Sequence, residues 1–163
     1  MVQSRIKKNV LITGATSGIG EATAESLSNN YNLILCGRRQ NRLLKLKKKL
    51  LKVTKVTTLA FDVRDKNNIS NEINSLSDNW KKIDVLINNA GNAHGLDFIH
   101  EGLVEDWDKM IDINVKGLLY VTNQVLKFML KNNSGHIINI GSIAGKEVYP
   151  KGNVYCASKF AVD

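Results

Sequence analysis

Apolar residues along the chain cluster in five short runs, which are separated by longer polar or amphipathic segments. Each run is directly followed by Gly, Asp or Asn. Short continuous apolar runs bounded by such residues are typical of strands that are buried on both faces of a sheet. The predicted strands are Asn9–Thr13, Asn32–Cys36, Lys55–Phe61, Ile83–Asn88 and His136–Ile140.

The segments between the strands carry apolar residues at helical spacing. They predict helices at about Gly18–Asn29, Gln40–Lys52, Asp65–Asn79 and Glu105–Lys131, and another that begins at Asn153. Asp65 can cap the third of these helices. Strands that alternate with helices predict an α/β protein with a Rossmann-type, doubly wound parallel sheet in three α/β/α layers. Ligands of such folds bind at the carboxyl ends of the strands.

Composition limits the classes of protein that fit this pattern. The chain has 163 residues, of which 43% are hydrophobic and 23% charged, which predicts one globular domain spanning 1–163. No apolar run reaches the roughly 18 residues of a membrane span, so we expect no membrane partner. Cys36 and Cys156 are far apart and form no CxxC motif. We therefore expect no metal site and a cytoplasmic location.

The net charge of +8 is concentrated in residues 1–60, where Glu21 and Glu25 are the only acids. A basic half can attract nucleic acid or a small anionic ligand, whereas a Lys-rich segment such as 45–49 is more often a solvated helix face. The chain has no recognised nucleic-acid module and is only 6% aromatic, so it has few side chains for base stacking. We expect no nucleic-acid partner.

The residues after the first strand, Thr13–Gly20, contain glycine at positions 14, 18 and 20. Glycine permits a tight turn and a close approach of the backbone to a pyrophosphate at a helix N-terminus. The spacing Gly-x-x-x-Gly-x-Gly differs from that of a Walker phosphate loop. Between a strand and a helix it predicts nucleotide binding; the alternative is a tight turn without a ligand.

The ends of the second and third strands bear on the type of cofactor. Sites for NAD usually place an acid after the second strand, but here Gly37 is followed by Arg38 and Arg39. Two guanidinium groups suit a 2′-phosphate, which predicts NADP. Alternatively, both arginines are solvated helix-cap residues. Asp62, which precedes Val63, is a candidate to bind the adenine amino group or to cap the next helix.

The later strands are followed by amide and hydroxyl side chains. Asn88–Gly91 combines small residues with amides that can tie neighbouring loops together, although it can also be a simple turn. Asn114 lies inside the long helix, where it either frees a carbonyl for a bound water or points to solvent. Ser142 follows the fifth strand, and Tyr155 and Lys159 share one face of the last helix. An ammonium group beside a phenol lowers the pKa of the phenol, which suits acid–base chemistry.

Together these motifs resemble the short-chain dehydrogenases/reductases. The resemblance covers nearly the whole chain and rests on Thr13–Gly20, Asn88–Gly91, Asn114, Ser142 and the Tyr155/Lys159 pair. Within that family, the stretches 105–108, 114–120, 135–145 and 152–155 are similar to NADP-dependent 3-hydroxy acid dehydrogenases, which act on serine, L-allo-threonine and related acids. The resemblance therefore implies hydride transfer between NADP(H) and a small hydroxy acid.

The family's site residues can be carried onto this chain position by position. Tyr155 would exchange the substrate proton, Lys159 would bind the nicotinamide ribose and Ser142 would orient the substrate oxygen. The backbone of Asn114 would hold a water that links Lys159 to solvent. The implied cofactor-binding residues are Gly14, Thr16, Ser17, Gly18, Ile19, Gly20, Arg38, Arg39, Asp62, Val63, Asn89, Ala90, Gly91, Tyr155 and Lys159.

The chain is shorter than most members of that family. We therefore expect it to be incomplete at its C-terminus, with the last strands of the family fold missing and the fifth strand left as an exposed edge. For the full-length protein the resemblance implies a homodimer or homotetramer that acts on a small-molecule substrate. The alternative is a non-catalytic NADP-binding protein or an inactive fragment of such a reductase.

Overall fold

A computed structural model describes residues 7–163 of the protein. In this part of the chain all five predicted strands are present, with boundaries that differ by two residues at most. They are β1 (Asn9–Ile12), β2 (Asn32–Gly37), β3 (Val56–Ala60), β4 (Val85–Asn88) and β5 (His136–Asn139). Every neighbouring pair is parallel, in the order β3-β2-β1-β4-β5. The predicted doubly wound sheet is confirmed.

The strand order reverses at β1, because the chain first builds outward to β3 and then crosses back to place β4 on the other side of β1. Such a reversal opens a crevice at the carboxyl ends of the central strands. The side chains of β1 alternate between the two layers of the core. Leu11 packs in the cluster beneath the helices over residues 66–74 and 118–131. Val10 and Ile12 pack in the cluster beneath the helices over residues 18–27 and 40–50.

The helices are α1 (Gly18–Leu27), α2 (Gln40–Leu50), α3 (Lys66–Asn74), α4 (Asp78–Lys81), α5 (Val104–Ile111), α6 (Leu118–Lys131) and α7 (Asn153–Val162). The carboxylate of Asp65 accepts hydrogen bonds from the backbone N–H groups of Asn67 and Asn68, so its predicted cap is confirmed. The single helix predicted over residues 65–79 is wrong. The chain turns after Asn74 because Leu76 is buried in the core, and α4 begins as a separate turn.

The predicted helix Glu105–Lys131 is also wrong as one continuous α-helix. Its two parts, α5 and α6, are joined by a π-helical turn over Asp112–Gly117. One of the residues in this turn is Asn114, which is buried. Isolated π-helical turns within α-helices are frequent at functional sites.

Strand β5 forms one edge of the sheet, as expected. His136, Ile138 and Asn139 are exposed on it, and Ile138 leaves 38% of its surface accessible. The cluster beneath α1 and α2 draws its strand residues from β1–β4, so β5 adds little to it. Within residues 7–163, the helices are all too short or too polar to cross a membrane.

Candidate active site

A groove with a volume of about 440 Å³ crosses the carboxyl ends of the strands above the reversal point. Every predicted cofactor-binding residue except Gly20 lines it. Asn114 and Ser142 lie outside the lining. The predicted residues that line the groove are Gly14, Thr16, Ser17, Gly18, Ile19, Arg38, Arg39, Asp62, Val63, Asn89, Ala90, Gly91, Tyr155 and Lys159.

The glycine turn after β1 has no room for side chains on its inner side. Gly14 has φ +65°, and a Cβ atom there would lie 2.9 Å from Nδ2 of Asn89. A Cβ on Gly20 would collide with the carbonyl oxygen of Gly14. The turn therefore brings the backbone close to whatever occupies the groove.

The start of α1 faces the groove with unsatisfied backbone donors. Ser17 is its N-cap residue, but no side-chain cap hydrogen bond is formed there. Gly18 has φ +55°, and the position of its missing Cβ is open for 4 Å around. Free N–H groups and the helix dipole favour a phosphate group at this point, so the residues present fit a dinucleotide pyrophosphate.

The two arginines after β2 flank the same groove in different ways. Arg39 donates to the hydroxyls of Thr16 and Ser17, at 2.9 Å in each case, and so braces the glycine turn. Arg38 reaches to within 3.5 Å of the Asp62 carboxylate, and its side chain remains 60% exposed. Two cations with no acid at the end of β2 fit the 2′-phosphate of NADP.

Asp62 follows β3 and is held by Arg64, which donates to it from the backbone and from the guanidinium group at 2.8–3.1 Å. Partial burial raises the pKa of Asp62, but the hydrogen bonds and positive charges of Arg64 and Arg38 outweigh it and leave the pKa lowered. The alternative role of Asp62 as a helix cap is wrong, since Asp65 caps α3. Its contact with adenine stays a prediction.

Asn89 ties the loop after β4 to the loop after β1. Its side-chain Nδ2 donates to the carbonyl oxygens of Thr13 and Gly14 at 3.0 and 3.3 Å. In return, the Thr13 hydroxyl accepts from the backbone N–H groups of Asn89 and Ala90, both at 3.0 Å. The predicted tie between neighbouring strand loops is confirmed.

Asn114 joins three segments that are far apart in sequence. It is 2% exposed, so the alternative that it points to solvent is wrong. Its side chain accepts from the backbone N–H of Asn92 at 2.9 Å and donates to the Asn92 carbonyl at 2.8 Å. It also donates to the hydroxyl of Ser158 in α7 at 3.0 Å.

Lys159 and Tyr155 lie on α7 beside the loop after β4. A Cβ on Gly91 would be 3.3 Å from Oδ1 of Asn114 and 3.6 Å from Nζ of Lys159, so this loop passes close to both side chains. Lys159 is buried and donates to the carbonyl oxygen of Ile140 at 3.0 Å. Burial lowers the pKa of Lys159. Tyr155 is half-buried.

Ser142 lies just beyond β5, where its hydroxyl accepts from the backbone N–H of Ala144 at 3.2 Å and starts a short 3₁₀ turn.

A second cavity of about 240 Å³, here called the side cavity, shares Tyr155 and Ala93 with the groove. Within residues 7–163, no group of three His, Cys, Asp or Glu residues is placed to hold a metal ion.

Two residues that hydrogen-bond to Asn114 were not predicted from the sequence. The backbone of Asn92 donates to the Asn114 side chain and accepts from it, and Ser158 links Asn114 to α7. Their positions gave some indication, since Asn92 directly follows Asn88–Gly91 and Ser158 precedes Lys159. Neither residue type in isolation predicts a buried hydrogen bond.

The fold and the groove define a class of protein, namely α/β domains with a groove at the reversal point of a parallel sheet, bordered by a glycine turn and a helix N-terminus. Residues 8–163 match the family described as short chain dehydrogenase, and the chain belongs to that family. It is 50% identical over 151 residues to an NADP-dependent 3-hydroxy acid dehydrogenase of Salmonella typhimurium, covering 92% of this chain and 60% of that protein. The corresponding protein of Escherichia coli K12 is 48% identical over the same length.

Solved structures that are similar to this chain include proteins of the same kind. Serine dehydrogenase from Escherichia coli is similar with a TM-score of 0.89 and 46% identity, over 94% of this chain and 71% of that one. The closed form of serine dehydrogenase complexed with NADP⁺ has the same score and identity and is covered over 62% of its length. The chain thus spans about 60% of the length of the curated relatives described above.

Proposed function

We propose that the protein is an NADP-dependent oxidoreductase that acts on the CH–OH group of a small 3-hydroxy acid. The observation that carries this proposal is the position of Tyr155, which lines both the dinucleotide groove and the side cavity. A proton-transferring group must reach the substrate while the substrate faces the cofactor. The names of the relatives, which are NADP-dependent 3-hydroxy acid dehydrogenases and serine dehydrogenase, support the cofactor and the substrate class.

The cofactor assignment rests on donors and charges that line the groove. The glycine turn and the uncapped start of α1 would hold the pyrophosphate, and Arg38 and Arg39 would face the 2′-phosphate. Asp62 and Val63 would border the adenine, and Asn89, Ala90 and Gly91, which also line the groove, would border the nicotinamide end. Bound NADP⁺ would accept the hydride from the substrate carbon, which is chemistry that the protein cannot supply itself.

The chain's own residues handle the proton. In the oxidation direction, Tyr155 takes the proton of the substrate hydroxyl, and in reduction it returns that proton to the carbonyl oxygen. The ammonium group of Lys159 binds the cofactor ribose. Ser142 donates a hydrogen bond to the reacting oxygen, and the backbone carbonyl of Asn114 holds a water through which Lys159 exchanges protons with solvent.

The test is a comparison of Tyr155→Phe with the unchanged protein in an assay of NADPH formation from L-serine and 3-hydroxypropanoate. We expect turnover to fall by at least about 100-fold, the usual contribution of a general acid–base group. NADP⁺ affinity, measured by calorimetry, should remain within about twofold, because the phenyl ring still fills the site. Tyr120→Phe on α6 is the control. NADP⁺ binding without turnover in the unchanged protein would instead support the non-catalytic alternative.

We also infer a homo-oligomer for the active protein. The outer face of α6 carries Leu119, Leu126 and Leu130, which expose 57%, 36% and 67% of their surfaces at helical spacing. Apolar residues arranged in this way favour a second copy of the helix across an interface. Replacing Leu119 and Leu130 by glutamate should reduce the mass measured by light scattering in solution.

Buried free thiols at Cys36 and Cys156 support a reducing compartment such as the cytoplasm.

A further inference from the structure

Within residues 7–163, Asp62 is the only acidic residue that lines the groove. Its carboxylate lies 3.5 Å from Nη1 of Arg38, which is one of the two cations that would face the 2′-phosphate. A free carboxylate at this point would repel a phosphate group and would also compete with it for Arg38. A site for a 2′-phosphate therefore needs a second group that satisfies Asp62.

Arg64 is placed to satisfy both oxygens of that carboxylate. Its backbone N–H and its Nε donate to Oδ1 of Asp62 at 3.0 and 3.1 Å, and its Nη2 donates to Oδ2 at 2.8 Å. Contacts from one guanidinium group to both oxygens are the strong geometry of an arginine–carboxylate pair. Arg38 approaches Oδ2 at the longer distance of 3.5 Å, and its side chain is 60% exposed. Arg64 is thus the tighter partner of Asp62, and Arg38 is the looser one.

Arg64 reaches Asp62 from outside the groove. It lies beyond the groove lining and borders a separate surface cavity next to Asp65 and Asp112. Both of these acids have other partners, since Asp65 caps α3 and Asp112 lies 2.8 Å from Nζ of Lys116. The side chain of Arg64 therefore influences the groove through Asp62.

The charges of this cluster leave one cation in excess, because two guanidinium groups surround one carboxylate. We propose that Arg64 is a positioning residue for cofactor choice, which neutralises Asp62 and leaves Arg38 to bind the 2′-phosphate of NADP(H). This inference rests on the proposed function. Without Arg64, Asp62 would retain Arg38 as its partner, and the phosphate would meet a pair with no net charge. NADH has a hydroxyl group at that position and does not depend on this excess charge.

A purely structural role of Arg64 is separable from this one. The bond from its backbone N–H to Asp62 shapes the turn after β3, and that bond does not depend on the side chain at position 64. Substitutions of the Arg64 side chain therefore test the charge rather than the turn.

The experiment measures the dissociation constants of NADPH and NADH by fluorescence titration, and its readout is their ratio. Arg64→Met removes the guanidinium group and keeps an unbranched side chain. NADPH binding should weaken about fivefold, the scale of a partly exposed ion pair, and NADH binding should weaken far less. Arg64→Lys keeps the charge and should retain most of the preference for NADPH. A contact of Asp62 with adenine would affect both cofactors alike and cancels in the ratio.

Arg64→Met combined with Asp62→Asn removes the carboxylate together with its partner, so the ratio should return to that of the unchanged protein. Lys49→Met is the matched control, because it removes a cation that is paired with Glu25 outside the groove, and it should not change the ratio. The inference is overturned if Arg64→Met leaves the ratio unchanged or weakens both cofactors equally. It is also overturned if the double variant does not restore the ratio.

A measurement on the ligand-free protein keeps this result distinct from a failure of the proposed function. The pKa of the Asp62 carboxyl group, followed by NMR, should rise in Arg64→Met, because burial raises this pKa and only Arg38 then lowers it. If the pKa does not rise, Arg64 does not neutralise Asp62, and the inference is wrong whichever cofactor binds. If the pKa rises but the unchanged protein binds NADPH no better than NADH, the proposed function fails first, and the inference fails with it.

Discussion

The cofactor side and the catalytic side of the groove are built in different ways. On the cofactor side, the contacts come from backbone turns directly after β1, β2 and β3, and each motif is continuous in sequence. On the catalytic side, Asn92, Asn114 and Ser158 come from three separate segments and meet through side-chain hydrogen bonds. Lys159 is bonded to a fourth segment, at the carbonyl oxygen of Ile140. Backbone geometry defines the first side, whereas long-range packing defines the second.

This difference implies different sensitivities to substitution. A change in the glycine turn displaces main-chain atoms and should affect both stability and cofactor binding. A change on the catalytic side removes one polar partner and should affect turnover, with little effect on cofactor affinity at residues other than Lys159, which also lines the groove. The predictions below test that separation, beginning with the largest effect.

Lys159→Met should cause the largest loss of activity with no loss of stability. We expect kcat to fall by at least about 100-fold, because the site loses the ammonium group that we propose to act next to the reacting groups. Burial lowers the pKa of Lys159, so the folded state binds this proton less tightly than the unfolded chain. The resulting penalty is present below the folded-state pKa and disappears as the pH rises towards the ordinary value of 10.5.

Removing the charge by this substitution should therefore leave the melting temperature at neutral pH unchanged or raised. The melting temperature is measured by thermal unfolding followed by circular dichroism. The activity is measured by steady-state kinetics at several pH values. A fall in both kcat and melting temperature would show that Lys159 is chiefly a structural residue.

Gly20→Ala tests the cofactor side. Its Cβ would collide with the Gly14 carbonyl and the Asn89 amide, so the turn must open. We expect the free energy of unfolding to fall by about 3 kcal/mol, the upper range for overpacking, and NADP⁺ affinity to fall with it. Gly18→Ala is the matched control, because it meets open space and costs only the strain of its left-handed backbone, about 1 kcal/mol. If the free energy of unfolding fell by a similar amount in Gly20→Ala and Gly18→Ala, the close packing around Gly20 would be contradicted.

Arg38→Ala combined with Arg39→Ala should separate the two cofactors. Loss of two charged partners for the 2′-phosphate should weaken NADPH binding roughly tenfold to a hundredfold and weaken NADH far less. Arg42→Ala, one turn further along α2 and outside the groove, controls for the general positive charge. Fluorescence titrations give the dissociation constants. Equal weakening of both cofactors would count against 2′-phosphate recognition.

Ser158→Ala should have the smallest effect. The Ser158 hydroxyl accepts from Asn114 and donates to the Tyr155 carbonyl at 2.7 Å, so it positions the start of α7. We expect kcat to fall by about fivefold, equivalent to one net hydrogen bond, with the NADP⁺ affinity unchanged. Ser75→Ala removes the same type of bond, from a hydroxyl to the Glu72 carbonyl at 2.7 Å, far from the groove. A similar fall of kcat in Ser158→Ala and Ser75→Ala would show that Ser158 has no specific role in positioning α7.

More of the cofactor side than of the catalytic side could be predicted from the sequence. The turn Thr13–Gly20 and the absence of an acid after β2 are local patterns, and most of their residues line the groove. On the catalytic side, the sequence marked Asn114 as a poor helix former but gave no sign that it is buried in a π-helical turn. The break of the predicted helix after Asn74 was missed for a similar reason, since tertiary burial of Leu76 overrides local propensity.

The reciprocal contact between Thr13 and Asn89 has a consequence for the cost of ligand binding. Four hydrogen bonds connect the loops after β1 and β4 through protein atoms alone. The amide hydrogens of Asn89 and Ala90 should consequently exchange slowly with solvent even in the ligand-free protein. Loops that are ordered beforehand lose little conformational entropy when a ligand arrives, so more of the contact energy becomes affinity. The side-chain amide of Asn89 thus orders the loops that border the groove before any ligand arrives.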